Sequence, residues 1–463
     1  MSSNLVFKKE HPINIQPPLD IGYCAAVLEK NGYNVHIIDS IFKKNFYGTI
    51  LNWKVRPSIV VIHLTTAAYE VAMKLARYFK EKYASKIIFM GQHASALPDT
   101  LVFKNSPVDI CMIGEAEKTI LDVCNSLSRN KKNFRKIRGI AFFDSERNSF
   151  VKTKPQRLIE DLDSLPYPKH EWFSNGLYRI YYPSASKKTK WGFIIATRGC
   201  PYKCIFCSPT LRVSYGKKFR KRTPRNVVDE MEYITNRFGV KSIFFLDDNF
   251  SFDQKWVLAL CKEMKRRKLN VRWAAQIKLN HINREMLKEM KSSGCETLCF
   301  GVESGSDRIL NILRKGITVR EIKKSSSMIN KEDMFTVCFF MIGCPTETME
   351  EIEKTFKLAL EIDSDLIQVA FFTPYPGSPI FEKFRKKFLF SRFSHYDTLI
   401  HNFSNVPSGR LMRAQKEFYW KYYARPSFIL RHWKNLLRIG VMNEMELVRK
   451  TTRFLFEIQK TRS

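Results

Sequence analysis

Short apolar runs alternate with amphipathic stretches along most of this chain. Ile59-Val60-Val61-Ile62-His63 is almost continuously apolar, as a parallel strand covered on both faces requires. Ile87-Ile88-Phe89-Met90 runs into Gly91, and Val108-Asp109-Ile110-Cys111-Met112-Ile113 runs into Gly114, with the same character. Val35-His36-Ile37-Ile38-Asp39 reads as a further strand. It follows a helix over about residues 21–31 that Gly32 ends. Helical spacing over residues 67–83 and 115–127 separates these runs. The pattern predicts a doubly wound α/β sheet, whose ligands bind at the carboxyl ends of its strands.

Residues 137–143 and 149–153 read as a hairpin, and the proline-rich stretch 155–168 as a linker. A second βα series follows. Its strands are expected over residues 192–197, 242–246, 271–276, 297–302, 335–341 and 366–372, with helices such as 227–236, 254–268, 284–292 and 349–362 between them. Six such units predict a partial (β/α)6 barrel of the TIM type, with its active site on the loops after the strands. The expected divisions are 1–135, 136–185 (hairpin and linker), 186–380 (barrel) and a mostly helical 381–463. In the last of these, Ile429, Trp433, Leu436 and Gly440 share one helical face, which suits a helix packed on the barrel better than one docked on a membrane surface.

With 463 residues, two or three domains are expected. The start carries no secretory pattern, and no stretch reaches the roughly 18 uncharged apolar residues of a membrane helix, so a cytoplasmic protein is the expectation. Charge changes the picture: 78 Lys and Arg against 45 Asp and Glu give +33. Such a field attracts nucleic acid or an anionic lipid surface, although a lysine-rich surface alone would produce it. The run Lys217-Lys218-Phe219-Arg220-Lys221-Arg222 could steer a phosphate backbone or be a solvated loop.

Eleven cysteines in such a chain should be reduced thiols, core fillers or metal ligands. Cys200, Cys204 and Cys207 stand on one loop directly after the first barrel strand, with spacing C-x3-C-x2-C. Three thiolates can hold three irons of a [4Fe–4S] cluster and leave the fourth open to a molecule from solution. A structural or electron-carrying cluster would be indifferent to such a molecule. Zinc held by Cys204 and Cys207 with Cys295 and Cys299 is the other reading.

The loop resembles the cluster motif of radical S-adenosylmethionine (radical SAM) enzymes, with Phe206 at that family's aromatic position. The resemblance covers about residues 191–379. It implies that SAM chelates the open iron and is cleaved to a 5′-deoxyadenosyl radical. The segments after later strands extend it. Asp247, Asp248 and Asn249 would receive the SAM ammonium, unless they simply cap a helix. Glu303 and Ser304 would line the ribose side. Gly343 and Glu347 belong to an element like that near the adenine.

The first domain resembles the flavodoxin-like, cobalamin-binding domain that precedes the barrel in one radical SAM subclass. The resemblance rests on Pro17-Pro18-Leu19-Asp20-Ile21-Gly22-Tyr23, Gly91-Gln92-His93-Ala94-Ser95 and Gly114-Glu115-Ala116-Glu117. It implies corrin contacts from Thr65, Tyr69, Gly91, His93, Gly114 and Glu115. His93 would stand near the corrin edge rather than on cobalt, and His63 reads as a core histidine. The D-x-H-x-x-G signature that supplies a cobalt ligand elsewhere is absent, and the opening strand Asn4-Leu5-Val6-Phe7 is weak.

Both domains together imply C-methylation of an unactivated carbon through methylcobalamin. No general acid or base is nominated, and a reductant such as flavodoxin or ferredoxin is implied. Radical cyclisation or rearrangement without net methyl transfer is the rival within the family. An RNA-modifying, methylthiotransferase-like enzyme is another reading, although Cys24, Cys111 and Cys124 do not resemble the cysteine arrangement of that class.

Overall fold

The computed structural model describes residues 14–39, 50, 55–129, 133–173, 178–180, 189–207, 214–385 and 399–428. The expected strand at residues 4–7 and the helical face at Ile429–Gly440 lie outside these residues.

β1 (Asn14–Ile15) opens the described chain. β2 (Ile59–His63), β3 (Lys86–Met90), β4 (Ile110–Met112), β5 (Ile140–Asp144) and β6 (Ser149–Lys152) form one sheet in that order. β2, β3 and β4 are parallel, and β5 and β6 add an antiparallel edge. The hairpin read as lying between the domains is therefore part of the first sheet. Val35–Asp39 forms no strand of this sheet, contrary to expectation. The segment is exposed or half-buried throughout, and β2 occupies the edge of the sheet.

Alternation along β3 shows that the sheet is covered on both faces. Ile87 and Phe89 pack with Ala72, Ala76 and Phe79 of helix Tyr69–Tyr83. Ile88 and Met90 pack with Cys24 and Leu28 of helix Leu19–Lys30 and with Ile120 and Val123 of helix Glu117–Ser128.

β7 (Arg179–Ile180) pairs antiparallel with β1. β8 (Trp191–Ile194) starts the second series. β9 (Thr197–Arg198) and β10 (Arg220–Lys221) pair antiparallel and flank the cysteine loop. β11 (Ser242–Phe245), β12 (Arg272–Ile277), β13 (Cys295–Glu303), β14 (Phe335–Ile342) and β15 (Leu366–Phe371) follow. With β8 they make an all-parallel six-stranded sheet in sequential order. The helices between them are punctuated by the sequence itself. Helix Pro224–Phe238 has a Thr223 cap, Pro224 at its first turn and Gly239 in the left-handed conformation at its end. Helix Val319–Lys331 begins with a Thr318–Glu321 capping box.

One helix serves both cores. In helix Leu19–Lys30, Leu19 and Tyr23 pack against Trp191, Phe193 and Phe244 on the inner face of the six-stranded sheet. Cys24 and Leu28, on the same helix, belong to the core of the first sheet.

The far edge of the six-stranded sheet is covered by side chains instead of a strand. Helix Ser408–Tyr423 presents Gln415, Tyr419 and Tyr423 at intervals of four residues. That rise of about 6 Å nearly matches two strand residues. The Tyr419 hydroxyl receives the Val369 N–H at 2.8 Å, and Gln415 donates to the Val369 carbonyl at 2.8 Å. The Tyr423 hydroxyl receives the Ile367 N–H at 2.9 Å and donates to the same residue's carbonyl at 3.2 Å. An exposed edge strand is a template for aggregation, and this ladder satisfies it. No helix among the described residues is long and apolar enough to cross a membrane.

Tyr419→Phe and Tyr423→Phe should each destabilise the fold by about 1–3 kcal/mol, because each strips backbone groups of their partner. The double variant should also aggregate on heating. Urea unfolding with light scattering checks both.

Candidate active site

The chain leaves β8 and β9 and turns at Gly199 into the cysteine loop. Gly199 has φ +87°, and a Cβ there would stand 2.2 Å from the Lys218 carbonyl oxygen, so only glycine fits. Cys200 and Cys207 are half-buried and Cys204 is buried. The loop is tied down by its backbone: the Ile205 N–H donates to the Leu313 carbonyl at 3.0 Å, and the Cys200 N–H to that of Gly216 at 3.3 Å. Tyr202 is held by His281 through its hydroxyl, and the Lys278 ammonium lies 3.1 Å from its ring centre.

Asp247 and Asp248 support this loop. The Asp247 carboxylate accepts the Ala196 and Thr197 N–H groups, and Asp248 accepts the Gly199 N–H at 3.1 Å. Burial pushes both carboxyls up to about 7. Neither caps the next helix; Asp253 does, accepting from Trp256 at 3.0 Å. Asn249 differs from its neighbours. It is buried, and neither atom of its amide has a partner, so its hydrogen-bonding capacity is unused.

On the other side of the loop stand two cations that the sequence reading missed. The Lys315 ammonium bonds Glu303 at 2.6 Å and lies 5.7 Å from the Phe206 ring centre. Lys278 donates to the Lys315 carbonyl at 2.8 Å, and burial pulls its ammonium down to about 8. Among so many lysines, neither carries a signal in the linear pattern.

Ser304 is turned away from the loop, beside Thr355 at 3.3 Å. Glu347 accepts the Gly343 N–H at 2.7 Å and the Cys344 N–H at 3.1 Å, while its other oxygen is buried without a partner. Phe206 joins Ile309, Leu313, Met341 and Phe372 in an apolar cluster beside the cysteines.

The zinc reading fails on packing. A register shift at the start of β13 puts Cys295 on the outer face, among the helices, and Cys299 on the inner face. Among the described residues no group of three His, Cys, Asp or Glu side chains is placed to hold a single metal ion. The donor set instead fits a cluster: three thiols on one loop, with two ammonium groups beside them to offset thiolate charge.

Residues 194–359 match the family described as the radical SAM superfamily. These residues form a radical SAM domain. The chain is 29% identical over 423 residues to the "Uncharacterized methyltransferase PH0819" of Pyrococcus horikoshii, spanning 90% of this chain and 89% of that protein. It is 25% identical over 431 residues to the anaerobic magnesium-protoporphyrin IX monomethyl ester cyclase of Cereibacter sphaeroides, spanning 90% of this chain and 69% of the relative. Among solved structures it shares the fold of the radical S-adenosylmethionine methyltransferase TsrM from Kitasatospora setae, determined with cobalamin and a [4Fe–4S] cluster. The TM-score is 0.66 at 18% identity, covering 81% of this chain and 72% of that one.

The cysteine loop is fastened to the first sheet by a buried ion cluster. Arg198, two residues before Cys200, reaches Glu115 at 3.2 Å and Glu117 at 2.7 Å in the segment after β4. Arg220 binds both oxygens of Glu115 at 2.8 Å and the Ile159 carbonyl at 2.7 Å. Ile159, in the linker, returns its N–H to Glu115 at 2.8 Å. The Arg198 guanidinium lies 5.0 Å from the Tyr23 ring centre and 4.8 Å from that of Tyr215. All four charged residues are buried. The Glu115 carboxylate is thus occupied by protein partners.

This arrangement also accounts for much of the basic run. Arg220 is spent on Glu115, Arg222 on buried Glu230, Lys221 on Asp253, and Lys218 on Glu160 at 2.7 Å.

At the strand ends of the first sheet, Gly91 has φ +97°, and a Cβ there would lie 2.9 Å from the His63 ring. His63 pairs with Asp20 at 2.9 Å and is partly accessible. Thr65 is half-buried in the loop after β2. The Gly114 N–H donates to Ser95 at 3.1 Å. His93 is fully buried, with its two ring nitrogens 3.2 Å from the hydroxyls of Thr66 and Thr100. Tyr69 stands beside it and donates to the Thr100 carbonyl at 3.1 Å. His63, not His93, therefore stands at the mouth.

Glu115→Ala should lower stability by about 3–5 kcal/mol, since it leaves buried guanidinium groups short of a counter-charge. Glu115→Gln, which keeps the shape, should cost less. Glu160→Ala, on the exposed pair, should leave the urea transition unmoved.

Proposed function

We propose that the protein is a cobalamin-dependent radical SAM methyltransferase acting on an unactivated carbon. The observation that carries this is the direct bonding of the cysteine loop to the strand-end segment of a second, doubly wound sheet, within one chain whose methyltransferase-named relative spans both. Cys200, Cys204 and Cys207 would hold a [4Fe–4S] cluster. Lys315, Lys278 and the unpartnered Asn249 amide are the groups offered to the methionyl end of SAM. Thr65, Gly91, Gly114 and the His63–Asp20 pair border the corrin site at the first sheet. When bound, these cofactors supply the radical that removes a substrate hydrogen and the methyl group that replaces it.

The chain's own contribution is placement and dryness. Asp247, Asp248 and Gly199 fix the loop. The apolar cluster of Ile205, Phe206, Leu313, Met341 and Phe372 keeps water from a reactive centre. No acid or base is required, and a flavodoxin or ferredoxin would deliver the electron. The cyclase relative, which also spans both domains, favours one second reading: radical cyclisation or rearrangement without net methyl transfer.

Anaerobic reconstitution with iron, sulfide and hydroxocobalamin should give about four irons and one corrin per chain. SAM should then be cleaved under dithionite, and Cys200→Ala, Cys204→Ala or Cys207→Ala should abolish both chromophore and cleavage. Products heavier by one CH2 mark methylation; cleavage with a product that has gained no CH2 marks cyclisation or rearrangement. Iron uptake without corrin would remove the cobalamin assignment.

A further inference from the structure

The inner wall of the barrel shows what kind of molecule it admits. Along β11, β12, β14 and β15 the outward residues Phe245, Ala275, Phe340 and Val369 are at most 1% exposed under their helices. Their inward neighbours Leu246, Gln276, Phe339 and Gln368 are all partly accessible. At the amino ends of the strands the interior is closed by Leu19, Tyr23, Phe173 and Tyr178. The accessible inner surface therefore lies toward the carboxyl ends of the strands, on the side of the cysteine loop.

Above the amino ends of the strands, where Ser242, Arg272 and Thr297 share the inward register, that wall carries no charge. Its inward positions up to Glu303 are aromatic, aliphatic, cysteine or glycine, with two exceptions, Gln276 and Gln368. Strand register confirms their direction: Gln276 pairs with inward Cys299, and Gln368 with inward Phe339. Neither amide has a hydrogen-bond partner among the described residues. Other glutamines here are used: Gln415 bonds Val369 and Gln254 bonds His281. The nearest cations, Lys278 and Lys315, stand at the rim and are engaged with the Lys315 carbonyl and Glu303.

We propose that Gln276 and Gln368 are substrate-reading residues, and that the substrate is an uncharged, largely apolar molecule with a carbonyl, amide or hydroxyl group. An amide supplies both donor and acceptor to such a group. An apolar wall with a few convergent polar groups is the usual build of a small-molecule site. A phosphate or carboxylate inside would lose its hydration with no cation to replace it. The inference rests on the radical SAM reading for the reaction, but its binding test needs neither SAM cleavage nor corrin.

The test is equilibrium dialysis of dodecanamide, dodecanoate and dodecyl phosphate, below micellar concentrations, against the iron-reconstituted full chain. Dodecanamide should bind at least about tenfold more tightly than either anion. Gln276→Leu and Gln368→Leu should each weaken dodecanamide by about 5- to 30-fold, with iron content and thermal transition checking the fold. Gln276→Lys should shift the preference toward dodecanoate. Equal or tighter binding of dodecyl phosphate by the wild type, or dodecanamide affinity unmoved by both leucine variants, would overturn the proposal. Loss of corrin uptake or SAM cleavage would instead strike the functional reading and leave this binding result standing.

Discussion

Four buried charges hold this protein in its working shape. Arg198 belongs to the cysteine loop, Glu115 and Glu117 to the first sheet, and Arg220 to the strand that closes the loop from behind. Out of water, removing any one of them leaves a buried charge uncompensated. Two tyrosine rings and the linker backbone fill the remaining space around the guanidinium groups. The loop that presents three thiols is thereby fixed to the carboxyl ends of a sheet formed nearly a hundred residues earlier. Two domains that could have moved freely are made to face each other across one set of partners.

The same economy appears in the barrel, which has six strands and so two open flanks. Helix Leu19–Lys30 lends Leu19 and Tyr23 to the floor of its interior while its other residues complete the first core. A tyrosine and glutamine ladder on helix Ser408–Tyr423 closes the far edge. The upper half of the interior is left accessible, apolar and uncharged, under the thiol-bearing loop. A chain of net charge +33 thus has no charged side chain on the inner face of its strands between Arg272 at the amino ends and Glu303 at the rim. Much of its basic run is spent on internal carboxylates.

The strands of both sheets were legible because parallel strands buried on both faces must be apolar without a break. The cysteine loop was legible because three thiols at that spacing after a strand have few other uses. Reading Val35–Asp39 as a strand failed because apolar content alone does not provide a neighbour to bond with; the segment is exposed or half-buried throughout. Asp247 and Asp248 looked like ligand contacts, yet their carboxylates are taken up by backbone N–H groups of the cysteine loop. Sequence spacing cannot say which of three adjacent polar side chains is taken up by the backbone and which, like Asn249, is left without a partner.

Local chemistry written in the chain therefore determined the two α/β layers, the helix ends at Thr223 and Gly239, and the trio Cys200, Cys204 and Cys207. Each of these depends on residues within a few positions of one another. Long-range closure decided the rest. It decided the pairing of Glu115 with Arg198, the approach of Lys278 and Lys315 to the thiols, and the inward turn of Gln276 and Gln368. These groups are separated by tens of residues and acquire meaning only when a sheet's register and a buried ion cluster bring them to one face.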